Sequence, residues 1–455
     1  MVPPMPTHCQ ARTGDATAPM VKALRGTGWN QSIRRFSAFH PEAVVKPFRG
    51  DGWAHFYDEY WSHQATVRSG DLEQEWFFYL PPSLKLETPL LMRTRITCLT
   101  PSQDKGSALE MWQRLRTRME LAFGSPNGIH SDIPAFGSGT WNDTVAWTTP
   151  RFCVVLYRSD NSVCLLAWNP MLMETSKAYE EAKYHAISRA REARTDSELE
   201  EAKKEVSAKG EPGLAELIPS GAEDPDCEQD GTRLKAATQL LEAIEYGQLA
   251  ARNPALLGPV LYAAYLTLPS DLPLPGCYGH GPLQELEALR HLGAVYYESH
   301  CDCTLIKGDF LLRRLARDDA ESIWGQRAFM RLVEDGFSPI TCEEGSDTFR
   351  NVIEFVPAYL GCLRDPSLLK LATFELGRAY ETWWSLAQAE NDQYVDAGEH
   401  RTPGWEHSLG KALAMYAVVL KMDPTGAEAQ MLQFRLPRLY LGIDTNCRDF
   451  YCIYD

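Results

Sequence analysis

Residues 374–384 read FELGRAYETWW, and residues 412–424 read ALAMYAVVLKMDP. In the first stretch Leu376-Gly377 is followed one turn later by Tyr380, all on one helical spacing. In the second, Ala412 is followed by Tyr416, and Pro424 closes the run after Lys421-Met-Asp. Glycine on one helix and alanine on the other let two backbones approach closely. Tyr380 and Tyr416 would fill the space beside them, and a proline, which cannot donate to a helical ladder, ends the second helix. The same periodicity extends toward both ends. From Thr232 onward helices are expected at about 232–252, 254–266, 283–299, 304–316, 320–335, 347–362, 366–390, 403–421 and 425–437. Short turns rich in Gly, Pro or Asp separate most of them. Successive helices with short connections suggest antiparallel helical hairpins, with no parallel sheet.

The order Leu376-Gly377, Tyr380, Ala412, Tyr416, Pro424 resembles a tetratricopeptide repeat, in which paired helices stack into an array. The sequence departs from that pattern in three places. Thr373 stands where the family has a tryptophan, Val419 occupies a late small-residue position, and an insertion of roughly 390–410 replaces the short turn. A weaker echo sits at Leu292-Gly293 and Tyr296. In such arrays the first helix of each pair lines a concave groove. The resemblance therefore implies groove positions at Phe374, Arg378, Glu381 and Thr382, and at the weaker echo Arg290 and Tyr297.

Ahead of this array the pattern changes. Residues 1–25 read as a flexible leader, poor in periodicity. Residues 26–172 mix periods. Glu75–Leu80 and Leu90–Leu99 read as strands, and Ala108–Phe123 as an amphipathic helix with Leu109, Trp112, Leu115, Met119 and Leu121 or Ala122 inward. Two apolar runs, 152–157 and 163–168, flank the turn Ser159-Asp-Asn-Ser162 as a hairpin. This is an α+β domain. Residues 173–231 form a charged helix, expected to be mostly solvated, and then an acidic linker with Glu223, Asp224, Asp226, Glu228 and Asp230. The expected fold is thus an N-terminal α+β domain followed by an all-α, repeat-like array over 232–455.

Net charge is −16. An acidic surface repels phosphate backbones, so nucleic acid is not an expected partner. No run approaches the roughly 18 apolar residues of a membrane span. The N-terminus lacks the apolar core of a signal peptide. Twelve scattered cysteines, several inside apolar runs, suit a reducing cytoplasm.

Candidate chemistry is sparse. Cys277-x-x-His280 and His300-Cys301-x-Cys303 are zinc-type residues. A continuous helix over 283–299 would hold the two halves roughly 25 Å apart at 1.5 Å per residue, so no metal site is expected. Ser138 in Phe136-Gly-Ser-Gly-Thr140 lacks the second spaced glycine of a nucleophile elbow. No phosphate-binding, dinucleotide-binding or His-Glu-x-x-His motif occurs, and no cofactor is expected. Two aromatic clusters, at Trp53, His55, Phe56, Tyr57, Tyr60 and Trp61 and at Tyr380, Trp383 and Trp384, are read as core. The C-terminus FYCIYD is apolar and aromatic. Two readings stay open for it. It packs back over the last helices, or Phe450, Tyr451, Ile453, Tyr454 and Asp455 form a peptide for a partner to capture. The leading functional expectation is a non-catalytic, protein- or peptide-binding scaffold or regulatory subunit. The alternative is a thiol- or His-dependent hydrolase with its site in the N-terminal domain.

Overall fold

A computed structural model describes residues 17–25, 28–47, 61–81, 89–99, 105–127, 142–148, 153–158, 162–220, 227–245, 252–268, 271–273, 282–291, 296–300, 303–337, 348–389, 396–445, 447 and 450. It divides into two compact units. The first is Met1–Ala182 with Gln433–Thr445, and the second is Lys183–Leu432 with Asn446–Asp455.

The first unit is built on a seven-stranded antiparallel sheet. Its helices are α1 (Thr17–Arg25), α2 (Ile33–Phe39) and α3 (Lys105–Phe123). Its strands are β1 (Val44–Pro47), β2 (Trp61–Ser69), β3 (Leu72–Tyr79), β4 (Leu90–Leu99), β5 (Asn142–Thr148), β6 (Cys153–Arg158) and β7 (Ser162–Trp168). The strand order is β1-β2-β3-β4-β7-β6-β5. The chain walks through four neighbours, crosses by α3 to the far edge, and returns inward. Gly70, at φ +64, allows the two-residue turn between Ser69 and Leu72 that joins β2 to β3. β4 and the β6–β7 hairpin lie where their apolar patterns place them. β1, β2 and β5 carry shorter or mixed patterns and were not expected.

One face of the sheet carries the main core. Ile96, Val154, Leu156, Val163, Leu165 and Ala167 pack there against Trp112, Leu115 and Met119 of α3. The buried stripe of α3 is Ala108, Trp112, Leu115 and Met119, at four-, three- and four-residue steps. Leu121, expected inward, is 84% exposed because it falls off this stripe, and Leu109 is also exposed. Residues 17–25, read as part of a loose leader, form α1, whose Met20 and Leu24 enter this core. At the outer edge Asn127 imitates a further strand against β5. Its N–H donates to the Ala146 carbonyl (3.0 Å). Its side chain donates to the Thr148 carbonyl (3.1 Å) and accepts from the Thr148 N–H (2.8 Å).

In the chain, α4 (Pro170–Ala208) follows, then α5 (Pro212–Ala215), α6 (Cys227–Glu245), α7 (Leu257–Thr267), β8 (Asp271–Pro273), α8 (Pro282–His291), β9 (Tyr296–His300) and β10 (Cys303–Lys307). Next come α9 (Asp309–Asp318), α10 (Ile323–Glu334), α11 (Thr348–Tyr359), α12 (Pro366–Gln388), α13 (Ala397–His400), α14 (Ser408–Met422) and α15 (Ala427–Tyr440). Three expectations are corrected here. The stretch after Thr232 is not wholly helical: β8, β10 and β9 form a three-stranded antiparallel sheet. The runs Tyr296–His300 and Cys303–Lys307, joined by only two residues, form a hairpin in place of the end of one helix and the start of the next. Second, the later half of α4 is not a solvated bridge. Glu198, Leu199, Ala202 and Val206 are buried along it. Third, part of the expected linker is structured, since α5 lies in it and Ala215 and Ile218 are buried.

A charged network holds α4 to α7 and α10 within the second unit. Glu198 accepts from the Tyr262 hydroxyl (2.8 Å) and from Arg331 (2.7 Å). Arg331 also donates to the Thr195 hydroxyl (2.7 Å) and the Tyr262 oxygen (3.2 Å). Arg194 grips both oxygens of Glu334 at 2.6 Å, and Arg327 meets Glu201 at 2.5 Å. Glu198, Tyr262 and Arg331 are all buried. The acids and bases balance, which is the condition for burying such groups.

Candidate functional site

The site under test is the helix pair α12–α14, where the repeat resemblance is strongest. Asp365 starts α12 by accepting from the N–H groups of Ser367 (2.7 Å) and Leu368 (3.3 Å), with Pro366 at the first helical position. The helix is buried nearly all round. It packs on α10, α11 and α14. Ala412, Tyr416 and Val419 of α14 are fully buried, in step with one helical face. Gly377 is required at the crossing: a Cβ there would lie 2.6 Å from the Tyr416 ring. The Tyr416 hydroxyl donates to the buried Glu381 carboxylate. Lys370 closes the end of the pair, bonding to Asp423 (2.8 Å) and Glu428 (2.9 Å).

Two residues from the chain's end rest on this helix. The Thr382 hydroxyl lies 3.2 Å from Cys447 Sγ, which is 3.9 Å from the Arg378 carbonyl. The Arg378 guanidinium lies over the Phe450 ring at 5.4 Å and over the Phe374 ring at 5.7 Å. The Phe450 carbonyl accepts from the Phe349 N–H (3.2 Å) and the Thr348 hydroxyl (2.9 Å). It thereby satisfies a donor in the first turn of α11 that the helix itself leaves without a partner. Cys447 and Phe450 are both buried.

The expected groove positions are therefore placed as follows. Phe374, Glu381 and Thr382 are buried, and Arg378 is partly exposed beside them, bonded to Glu375 at 2.7 Å. These four share α12. Arg290 and Tyr297 do not share a helix: Arg290 is exposed on the last turn of α8, 3.6 Å from Glu287, and Tyr297 is in β9 opposite Ile306. The weaker repeat echo thus spans two kinds of element, and Leu292 and Gly293 lie outside the described residues. Phe450 is buried against α11 and α12. Tyr451, Ile453, Tyr454 and Asp455 lie outside the described residues. Tyr380 and Trp384 are buried, as read, and the Trp383 indole donates to the His400 carbonyl (2.9 Å).

The remaining chemistry is thin. The helix that kept the two zinc-type pairs apart ends at His291, and His300 and Cys303 sit opposite one another on β9 and β10. The distance argument against that set therefore does not stand. Cys277, His280 and Cys301 lie outside the described residues, as do Ser138, Trp53, His55, Phe56, Tyr57 and Tyr60. Among the described residues no three His, Cys, Asp or Glu side chains cluster to hold a metal ion. In the first unit Cys98 and Cys164 are buried, and burial pushes both thiols up, away from the reactive thiolate. Burial also lowers the pKa of His63, whose ring lies 3.2 Å from the Ser62 hydroxyl. No helix among the described residues is long and apolar enough to cross a membrane. Sequence reasoning missed Cys447, which carries no motif and is recognisable only from what it touches.

No protein-family model matches the chain, and neither does a curated protein or a solved structure.

Proposed function

We propose that this chain is a protein- or peptide-binding scaffold or regulatory subunit, working through a tetratricopeptide-like face on α12. One observation carries the reading. Arg378 and Thr382, two positions that the repeat resemblance assigns to a groove, already receive a stretch of chain that belongs to neither helix of the pair, at Cys447 and Phe450. An aromatic ring under a guanidinium, a small side chain beside a threonine, and a carbonyl on a helix's open N–H group are the contacts of peptide recognition.

The test is peptide display against the immobilised full chain. Selected peptides are expected to carry an aromatic residue. They should be displaced by a synthetic NCRDFYCIYD peptide and bind at least tenfold more weakly to Arg378→Ala. Enrichment no better than on an unrelated protein, or binding indifferent to Arg378→Ala, would falsify the proposal.

A further inference from the structure

The first unit contains a cleft of about 500 Å³ between residues 28–31 and α2. That volume suits a small organic molecule. Its shape is fixed by the backbone. Asn30 is left-handed, at φ +62, a conformation asparagine tolerates better than most residues. The Asn30 N–H donates to the Leu91 carbonyl (3.1 Å), Leu91 returns a bond to the Gln31 carbonyl (2.9 Å), and Asn169 donates to Asn30 Oδ1 (2.8 Å). Gly28 leaves room for Gln31: a Cβ there would lie 3.0 Å from Oε1. On the other side the His40 ring stacks on Phe36 at 4.6 Å, and its Nδ1 meets Glu42 at 3.3 Å. Both walls are thus held by the fold before any ligand arrives.

The lining is rich in donors. Arg35 makes no side-chain hydrogen bond or ion pair among the described residues. Trp29, which also packs partly against the first unit's core, lines the cleft beside it, with Asn30, Gln31 and His40. Phe39, 67% exposed, supplies an apolar surface that nothing in the first unit's core requires. The local charge opposes that of the whole chain. Residues 17–47 carry Lys22, Arg25, Arg34, Arg35 and Lys46 against the single acid Glu42, in a protein of net charge −16. A positive segment on an acidic molecule selects anions.

We infer that this cleft binds a small aromatic carboxylate. The planar guanidinium of Arg35 matches a carboxylate through two parallel bonds. The amide and indole donors take its remaining lone pairs, and Phe39 and Trp29 cover the ring. The site is independent of the α12 face and of the peptide-binding reading.

Isothermal titration of the full chain tests this with benzoate, phenylacetate, 3-phenylpropionate and indole-3-acetate. The uncharged control is 3-phenylpropan-1-ol, and phenyl phosphate is the rival anion. At least one acid is expected to bind at one site. Arg35→Gln should weaken it tenfold or more and Phe39→Ser several-fold, with Tm unchanged because both side chains are exposed. Failure of every acid to bind, equal binding of the alcohol, or undiminished binding to Arg35→Gln overturns the inference. Tighter binding of phenyl phosphate than of any acid overturns the carboxylate assignment.

Discussion

The α3 face of the sheet and the α4–α7–α10 interface of the helical unit bury different kinds of side chain, although the first unit also buries Glu75, Arg93 and Arg438 elsewhere. Behind the sheet the core is Ile96, Trp112, Leu115, Met119, Leu165 and their neighbours, all apolar. Inside the helical unit, Glu198, Arg331, Glu375, Glu381 and Thr382 are as buried as leucines. An apolar core gains from burial in rough proportion to area and tolerates swaps of similar volume. A buried charge is favourable only with its partner in place, because desolvation costs it several kcal/mol. These two cores should therefore fail in different ways when altered.

The largest expected effect is at Arg331. Arg331→Ala removes the nearest cation from the buried Glu198–Tyr262 pair, leaving Arg327 (3.7 Å) and Arg194 (3.9 Å) farther off, and should cost about 3–5 kcal/mol. The triple change Glu198→Leu, Tyr262→Phe, Arg331→Met should recover most of that loss, since an apolar replacement of a whole buried group is often neutral. In the sheet unit Leu165→Ala should cost about 2–5 kcal/mol through a cavity, a loss that no paired charge change restores. Urea unfolding followed by circular dichroism measures all three. A loss below about 1 kcal/mol for Arg331→Ala would show that the network is not held as described.

The same contrast explains how far the sequence could be read. Where burial follows apolar pattern, reading worked: β4, the β6–β7 hairpin, the inward Trp112, Leu115 and Met119 of α3 and the helices α12 and α14 are present. It failed where polar residues are inside. The run containing Glu198, Leu199, Ala202 and Val206 looked solvated because acids and arginines fill it, yet their partners, Tyr262 and Arg331, are more than sixty residues away. No local window contains that information. The burial of Phe374, Glu381 and Thr382 was likewise not legible, because a repeat pattern sets a helix's phase but not how many neighbours surround it. The β9–β10 hairpin was hidden because helices were expected over 283–299 and 304–316, across both of its strands. The placement of Cys447 and Phe450 depends on contacts across most of the second unit.

A smaller effect separates packing from propensity on the helix pair. Gly377→Ala forces a Cβ to within 2.6 Å of the Tyr416 ring and should cost about 1–3 kcal/mol by overpacking. Gly410 in α14 has nothing within 4 Å of the same position. Gly410→Ala should stabilise by about 0.5–1 kcal/mol, because alanine loses less backbone entropy in a helix. Opposite signs in thermal denaturation are the expected result. If both substitutions stabilise, the close crossing of α12 and α14 is wrong.

The smallest effect tests the exposed counterpart of the buried network. Lys370 and the backbone N–H groups of Thr425 and Gly426 hold the Asp423 carboxyl below its ordinary 3.8, at about 2. A carboxylate whose folded pKa is depressed stabilises the fold above its unfolded value, and that contribution disappears as pH falls through the folded one. The window is therefore about pH 4 down to 2, and above it the contribution is constant. Because Asp423 is solvent-facing, water and salt screen it, so Asp423→Asn should shift Tm only slightly at neutral pH. The shift should shrink further in about 0.5 M salt. Carbon-detected NMR titration of the Asp423 carboxyl gives its pKa directly. A midpoint near 3.8 would mean that Lys370 does not close the helix pair. A large, salt-insensitive loss in Asp423→Asn would mean that this cluster behaves as the buried network does, and the distinction between the two would fail at that site.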